Sequence, residues 1–428
     1  MEKFVIEGGK KLKGSVRPGG SKNEALPCLA ATLLTDEEVT LRNVPRIADV
    51  DVMLEVIADL GGQYEWIGDN VVKVKSGPVE RTELNADLCR KVRASILFAG
   101  AMLARKGDCK LPPPGGDVIG RRRLDTHFLA LTALGATIDV SEAGFHFKGP
   151  RLKGDEIFMD EASVTATENL LMAATVAKGT TVIHNAACEP HVQGLCRMLT
   201  KMGARIQGIG TNIVTLEGTK GLWGCDHTIG PDYLEIGSLA GLAAVTGSEL
   251  TIEGVVPEDL RMIRLVFARL GVQTEFRKDA LFVPGNQELQ IRDDLNNAIP
   301  KIDDAPWPAF PTDLMSIAIT VATQCRGTVL FFEKMFEGRM FFVDSLIAMG
   351  AKIVFCDPHR VVVVGKSQLY GATLESPDVR AGMSLLIAAL CAQGTSTIYN
   401  VRQIDRGYEN IDKKLNALGA SITRLPVE

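Results

Sequence analysis

Four cations, Lys22, Arg93, Arg122 and Arg406, stand at or just before the starts of stretches that read as helices. Free backbone N–H groups and the positive end of the helix dipole favour anions there. Like charges gathered at one place repel unless something negative lies between them, so the set points to a polyanionic ligand. The other helix starts are also polar: Ser21 and Asn23 beside Lys22, Lys91 and Ser95 beside Arg93, then Ser163, Thr165 and Thr167, Asp232 and Glu235, Thr312 and Asp313, Asp378 and Arg380. Taken singly, each is an ordinary cap or a solvated charge. Asp378 with Arg380 reads equally well as a cap beside an ion pair.

Residues 111–127, LPPPGGDVIGRRRLDTH, put three prolines and the pair Gly115–Gly116 where a plain strand-to-helix connection would serve, the composition of a mobile functional loop. Asp117 follows Gly115 and Gly116. A carboxyl desolvated at such a tip has a raised pKa and can donate a proton near neutral pH, against the pull of nearby arginines. On the residues alone, an exposed Asp in a Gly turn explains it as well. Other chemistries lack their motifs: there is no Gly-x-x-x-x-Gly-Lys-Ser/Thr, no strand-linked Gly-x-Gly-x-x-Gly, no Gly-x-Ser-x-Gly and no His-rich metal set. The nine Cys are scattered without a Cys-x-x-Cys pair and read as reduced structural thiols. No cofactor and no metal are indicated.

The elements that must position these residues repeat. The ending Leu/Met-Gly-(Ala/Gly/Val) occurs at Leu60, Leu134, Met202, Leu270, Met349 and Leu418, at intervals of 68 to 79 residues. An amphipathic helix precedes each, a strand phrase such as GTTVIHN, SELTIEG, GTVLFFE or GTSTIYN precedes that, and a hairpin follows. Earlier in each unit runs a second helix, apolar nearly all round, as in ENLLMAATVA or GMSLLIAALC, which must be buried. The sixth unit ends after one hairpin strand, and the opening KFVIEGGKKLKG resembles the returning strand of the others. This predicts two lobes of three units, one over 22–231 with a mobile loop at 111–123, the other over 1–21 plus 232–428 and completed by the N-terminal strand, with the cations facing a shared crevice.

The chain has 428 residues, enough for two or three domains with sizeable cores. A net charge of −5 argues against coating nucleic acid. No run of about 18 apolar residues and no signal peptide is present, so a cytoplasmic protein without membrane insertion is expected.

The segments GSVRPGGSKNEALPCLAATLL, VRASILFAG, PPGGDVIGRRRLDTH, FPTDLMSI and IDRGYENIDKKLNALGA resemble those of the UDP-N-acetylglucosamine enolpyruvyl transferases over essentially the whole chain. The resemblance implies an α/β fold, a two-lobed inside-out α/β barrel of six βαβαββ-type units, three per lobe. It implies transfer of the enolpyruvyl group of phosphoenolpyruvate to the 3′-hydroxyl of UDP-N-acetylglucosamine with release of phosphate, the first committed step of peptidoglycan synthesis and so of cell-wall growth, shape and division. Lys22, Arg122 and Arg406 would hold the phosphate and carboxylate of phosphoenolpyruvate, with Arg93 adding to the cationic wall. Asn23 would contact the sugar, and Leu124, Asp125, Ser163, Val164 and Thr165 the uridine and diphosphate. Asp313 would orient and deprotonate the attacking hydroxyl, and Asp378 and Arg380 would be structural.

The chain departs from the family pattern in four places. Asp117 replaces the usual loop Cys, which implies the same general-acid role without thiol chemistry, and therefore resistance to the thiol-alkylating epoxide fosfomycin. Tyr233 stands for an Arg and Thr165 for a Gly. FEKMFEGRMFFV differs from the usual FENRF, so Arg339 receives no role. Shikimate 3-phosphate as the acceptor, or a non-catalytic protein binding RNA ends, are the alternatives, the latter opposed by the charge balance and the lack of aromatic stacking patches.

Overall fold

Each repeat carries a helix that has no polar face, and the computed structural model, which describes residues 2–116 and 119–427, buries the middle of each of those helices on every side. The six are Lys22–Ala31, Phe98–Lys106, Val164–Ala174, Tyr233–Thr246, Met315–Thr323 and Val379–Cys391. In the fourth, every residue from Tyr233 to Ala244 is buried. Its start is fixed by Asp232, whose Oδ1 accepts from the N–H groups of Leu234 and Glu235 at 2.9 and 3.4 Å. Its end is fixed by Gly247 in the left-handed region. Outer helices such as Pro190–Lys201 bury one face only, through Val192, Leu195, Cys196 and Leu199.

Half-buried strands follow the helices. In Thr180–His184, Thr181 and Ile183 point inward while Thr180 faces water. This strand pairs in parallel with Glu156–Phe158 and antiparallel with Ile213–Glu217, which in turn pairs with Arg205–Gln207. Four other sheets have the same order, and the remaining one, Asp108–Leu111, Gly144–Lys148 and Thr137–Ser141, has three strands, with a lone parallel bridge from Glu83 to Lys110 where the fourth would lie. In one of the four, the strand Glu2–Glu7 from the start of the chain lies between Thr395–Tyr399 and Ile422–Pro426.

An asparagine ends three of the central strands. Asn43, Asn185 and Asn400 all have φ between 56 and 58°, which Asn tolerates better than other residues with a side chain. Each turns its amide back to donate to the carbonyl just beyond the neighbouring parallel strand, at Ile229, Met159 and Ser376 respectively. The strand end and the sheet edge are tied by one side chain.

The chain forms two units by contact. Unit one is Met1–Gly19, Val118–Arg121 and Pro231–Glu428; unit two is Gly20–Asp117 and Arg122–Gly230. Each has its own hydrophobic core built around its three inner helices. Strand Lys13–Val16 pairs with Glu249–Glu253 in unit one although the chain continues into unit two, and Asp226–Thr228 pairs with Val39–Arg42 in unit two before the chain continues into unit one. Among the described residues, no helix is long and apolar enough to cross a membrane.

Candidate active site

In unit two, Lys22 is the first residue of the first inner helix, directly after Ser21, and its Nζ lies 2.7 Å from Asp49 Oδ2. Both side chains are nearly buried, 12 and 5 % exposed. A buried ammonium needs such a partner, and Asp49, in the first turn of the amphipathic helix Ala48–Asp59, holds it at the helix start. Asn23 follows, half-buried.

Arg93 opens the turn before the second inner helix and donates from Nη2 to the carbonyl of Arg122 at 2.6 Å. Burial, with Arg122 adding repulsion, lowers its pKa to about 10. It therefore stays charged at neutral pH. The two loop glycines explain how the chain reaches this point. A Cβ on Gly115 would sit 1.7 Å from the carbonyl of Arg90, and one on Gly116, at φ +113°, would sit 2.7 Å from Arg93 Cβ. Only glycine permits that approach. Arg122 Nη1 lies 3.4 Å from that same Cβ position on Gly116, so Arg93, Arg122 and the loop glycines are one cluster. Asp117, to which a proton-donating role was assigned, lies outside the described residues.

Leu124 is the N-cap and Asp125 the first residue of the helix Asp125–Ala133. Arg123 pairs with Asp125 at 3.1 Å, and Thr126 donates to Asp160 at 2.8 Å. Ser163, Val164 and Thr165 form the start of the third inner helix, where Ser163 makes no side-chain cap. His127 joins these two starts: Nε2 lies 3.0 Å from Thr165 Oγ1 and Nδ1 lies 2.9 Å from Asn169 Nδ2. Burial, reinforced by Arg93, pushes its pKa down to about 3.

In unit one, Asp313 sits in the turn Thr312–Leu314 that opens the fifth inner helix. Arg339 Nη2 donates to its Oδ1 at 2.6 Å and Arg380 Nε to its Oδ2 at 3.1 Å. Burial alone would raise the Asp313 pKa, but the two guanidinium groups outweigh it and hold the carboxyl well below the usual range. Arg339 Nε and Arg380 Nη1 are buried without a hydrogen-bond partner, so this cluster keeps donors for a further oxygen. Asp378 caps the sixth inner helix, accepting from the N–H groups of Arg380 and Ala381 at 2.8 and 3.0 Å. Arg406 follows the short helix Arg402–Asp405 and donates to Gln403 at 2.9 Å. The stretch 119–121 reaches the turn before Arg339: Gly338 N–H donates to the carbonyl of Ile119 at 3.0 Å and Arg121 N–H to Glu337 Oε2 at 3.2 Å.

Unit two thus gathers Lys22 and Asn23 on one helix start, Arg93 with Arg122 on a second, and Leu124, Asp125 and residues 163–165 around His127. Unit one gathers Asp313 with Arg380 and, unassigned from sequence, Arg339. Asp49, His127 and Asn169 were also missed. Arg380, read as structural, holds the Asp313 carboxylate directly. Tyr233 is buried against Trp307, ring centroids 5.7 Å apart, and is a core residue. The signals for the missed residues were Asp49 on the apolar face of its helix and Asn169 inside an otherwise apolar one, since a polar group there needs a partner.

The family model described as EPSP synthase (3-phosphoshikimate 1-carboxyvinyltransferase) matches residues 6–415. A protein of Treponema denticola named UDP-N-acetylglucosamine 1-carboxyvinyltransferase is 56 % identical over 422 residues, 99 % of both chains. One of Bradyrhizobium diazoefficiens with the same name is 55 % identical over 99 % of this chain and 98 % of its own. Among solved structures, the enolpyruvyl transferase NikO from Streptomyces tendae superposes with a TM-score of 0.88 at 23 % identity, covering 100 and 99 % of the two chains. An EPSP synthase from Acinetobacter baumannii gives 0.75 at 19 %, covering both chains fully. These two likenesses carry the fold, and the curated relatives carry the family.

Proposed function

The chain belongs to the EPSP synthase family of carboxyvinyl transferases, and from that premise we propose that it transfers the enolpyruvyl group of phosphoenolpyruvate to the 3′-hydroxyl of UDP-N-acetylglucosamine, releasing phosphate. The observation that carries this is identity of 48 to 56 % along nearly the full chain to relatives named for that reaction. It is the first committed step toward peptidoglycan.

Protonating the methylene carbon of phosphoenolpyruvate makes the adjacent carbon electrophilic, and the sugar hydroxyl adds to it. Loss of phosphate and of a methyl proton from the tetrahedral intermediate restores the enol ether. Lys22, Arg93, Arg122 and Arg406 bind the phosphate and carboxylate, and their charge stabilises the leaving group. Asn23 contacts the sugar, while Leu124, Asp125, Ser163, Val164 and Thr165 take the uridine diphosphate. Asp313 orients the hydroxyl and accepts its proton, and Asp117 supplies the proton to carbon. In support, Lys22 is held by Asp49, Arg93 stays cationic although half-buried, and Asp313 is ionised throughout the physiological range.

Phosphate release with phosphoenolpyruvate and either UDP-N-acetylglucosamine or shikimate 3-phosphate tests the reading. Turnover with the nucleotide sugar is expected. Release with shikimate 3-phosphate alone would move the chain to the other branch of its family.

A further inference from the structure

The orientation of one buried amide decides the proton positions of a chain of three side chains in unit two. Asn169 Oδ1 accepts from the backbone N–H of Gly100 at 2.7 Å, and that donor admits no other reading. The amide nitrogen is therefore Nδ2, which donates one hydrogen to the carbonyl of Ile96 at 2.9 Å and the other to His127 Nδ1 at 2.9 Å. Gly100 makes the arrangement possible, since a Cβ there would lie 2.2 Å from the carbonyl of Asn169. His127 Nδ1 is thus an acceptor, and the single proton of the neutral ring is on Nε2. That proton points to Thr165 Oγ1, 3.0 Å away.

Thr165 consequently has one lone pair taken by His127 and its own hydrogen left to give. Thr167, two positions further along the helix, spends its hydrogen on the carbonyl of Ser163 at 2.8 Å. Thr165 has no such back-bond. It is the second residue of an 11-residue helix whose first N–H groups lack partners within the helix and whose cap residue, Ser163, uses no side chain for capping. His127 also brings no charge of its own to this place, since burial and Arg93 keep it neutral.

We propose that Thr165 is a specificity-determining donor: its hydroxyl, oriented by the hydrogen bond it accepts from His127, which Asn169 holds in turn, donates to an anionic diphosphate oxygen of the nucleotide-sugar substrate. His127 and Asn169 are positioning residues that act through it. The inference rests on the function proposed above and adds to it a contact that the family's usual glycine at this position cannot make.

Calorimetric titration with UDP, and steady-state kinetics with both substrates, test this on the wild type, Thr165→Val and Thr165→Ser. A hydrogen bond to a charged oxygen leads to an expected loss of about tenfold or more in UDP affinity and in KM for UDP-N-acetylglucosamine for Thr165→Val. KM for phosphoenolpyruvate should stay within about twofold, and Thr165→Ser should restore binding; a merely structural role would not divide the substrates in this way. Nitrogen-15 NMR of His127 should show the neutral Nε2–H form from pH 5 to 8. Unchanged UDP affinity in Thr165→Val, or the Nδ1–H form, overturns the inference while leaving the function standing. A wild type that binds neither UDP nor the nucleotide sugar overturns both.

Discussion

At Asp313 the chemistry asked of a residue and the surroundings given to it pull in opposite directions. Two guanidinium groups make the carboxylate well placed and weakly basic. Because its folded pKa lies below the unfolded value of about 3.9, the ion pairs contribute stability fully above that value and lose it as pH falls through the folded pKa. Replacing Arg339 by Gln removes one of the two opposing charges, so the acid limb of kcat/KM should move up by about one pH unit or more while kcat falls; a pH–rate profile that coincides with wild type would remove Arg339 from the site. At Asp117 the expected outcome concerns reactivity. The wild type should show no time-dependent inactivation by fosfomycin, and Asp117→Cys should acquire it, as followed by residual activity and intact mass. Lys22, Asn23 and Asp313 could be put forward from the sequence because their segments resemble those of known relatives. Asp49, Arg339 and His127 were not, because what marks each is a partner far off in sequence: Arg339 meets a residue 26 positions away, and His127 one 42 positions away.

Elements carry their own signals when the pattern is local. The all-apolar helices and strand phrases such as GTTVIHN could be read directly, because burial on every side or on alternate sides is written in consecutive residues. Strand exchange could not. Lys13–Val16 pairs with a strand more than 230 positions on, and nothing within four residues encodes that partner. The strand-ending asparagines lie between these cases, since the residue is visible and its long-range bond is not. Asn185 tests what each part contributes. Asn185→Gly keeps the backbone at φ +58° and loses only the amide bond to Met159, a cost of about 1 kcal/mol. Asn185→Ala adds the penalty of a left-handed residue, about 1–2 kcal/mol more. Urea unfolding should therefore order the proteins as wild type, Gly, Ala. Equal midpoints for the two variants would deny any role to the backbone conformation.

Across the whole molecule, two cores that each enclose three inner helices predict two unfolding events. The tryptophans divide conveniently, with Trp307 in unit one and Trp66 and Trp223 in unit two. A Trp66→Phe, Trp223→Phe variant reports unit one by fluorescence, and Trp307→Phe reports unit two. All the residues proposed to take the uridine diphosphate, from Leu124 to Thr165, belong to unit two. A ligand stabilises only what binds it, so UDP at one hundred times its dissociation constant should raise the stability of the unit-two transition by about 2.7 kcal/mol. The unit-one transition should move much less. If both reporters shift together by the same amount, the units unfold as one, and the assignment of nucleotide binding to unit two loses its thermodynamic support. If only the Trp307 reporter shifts, the nucleotide is held by unit one, and the roles proposed for Ser163, Val164 and Thr165 fall with it.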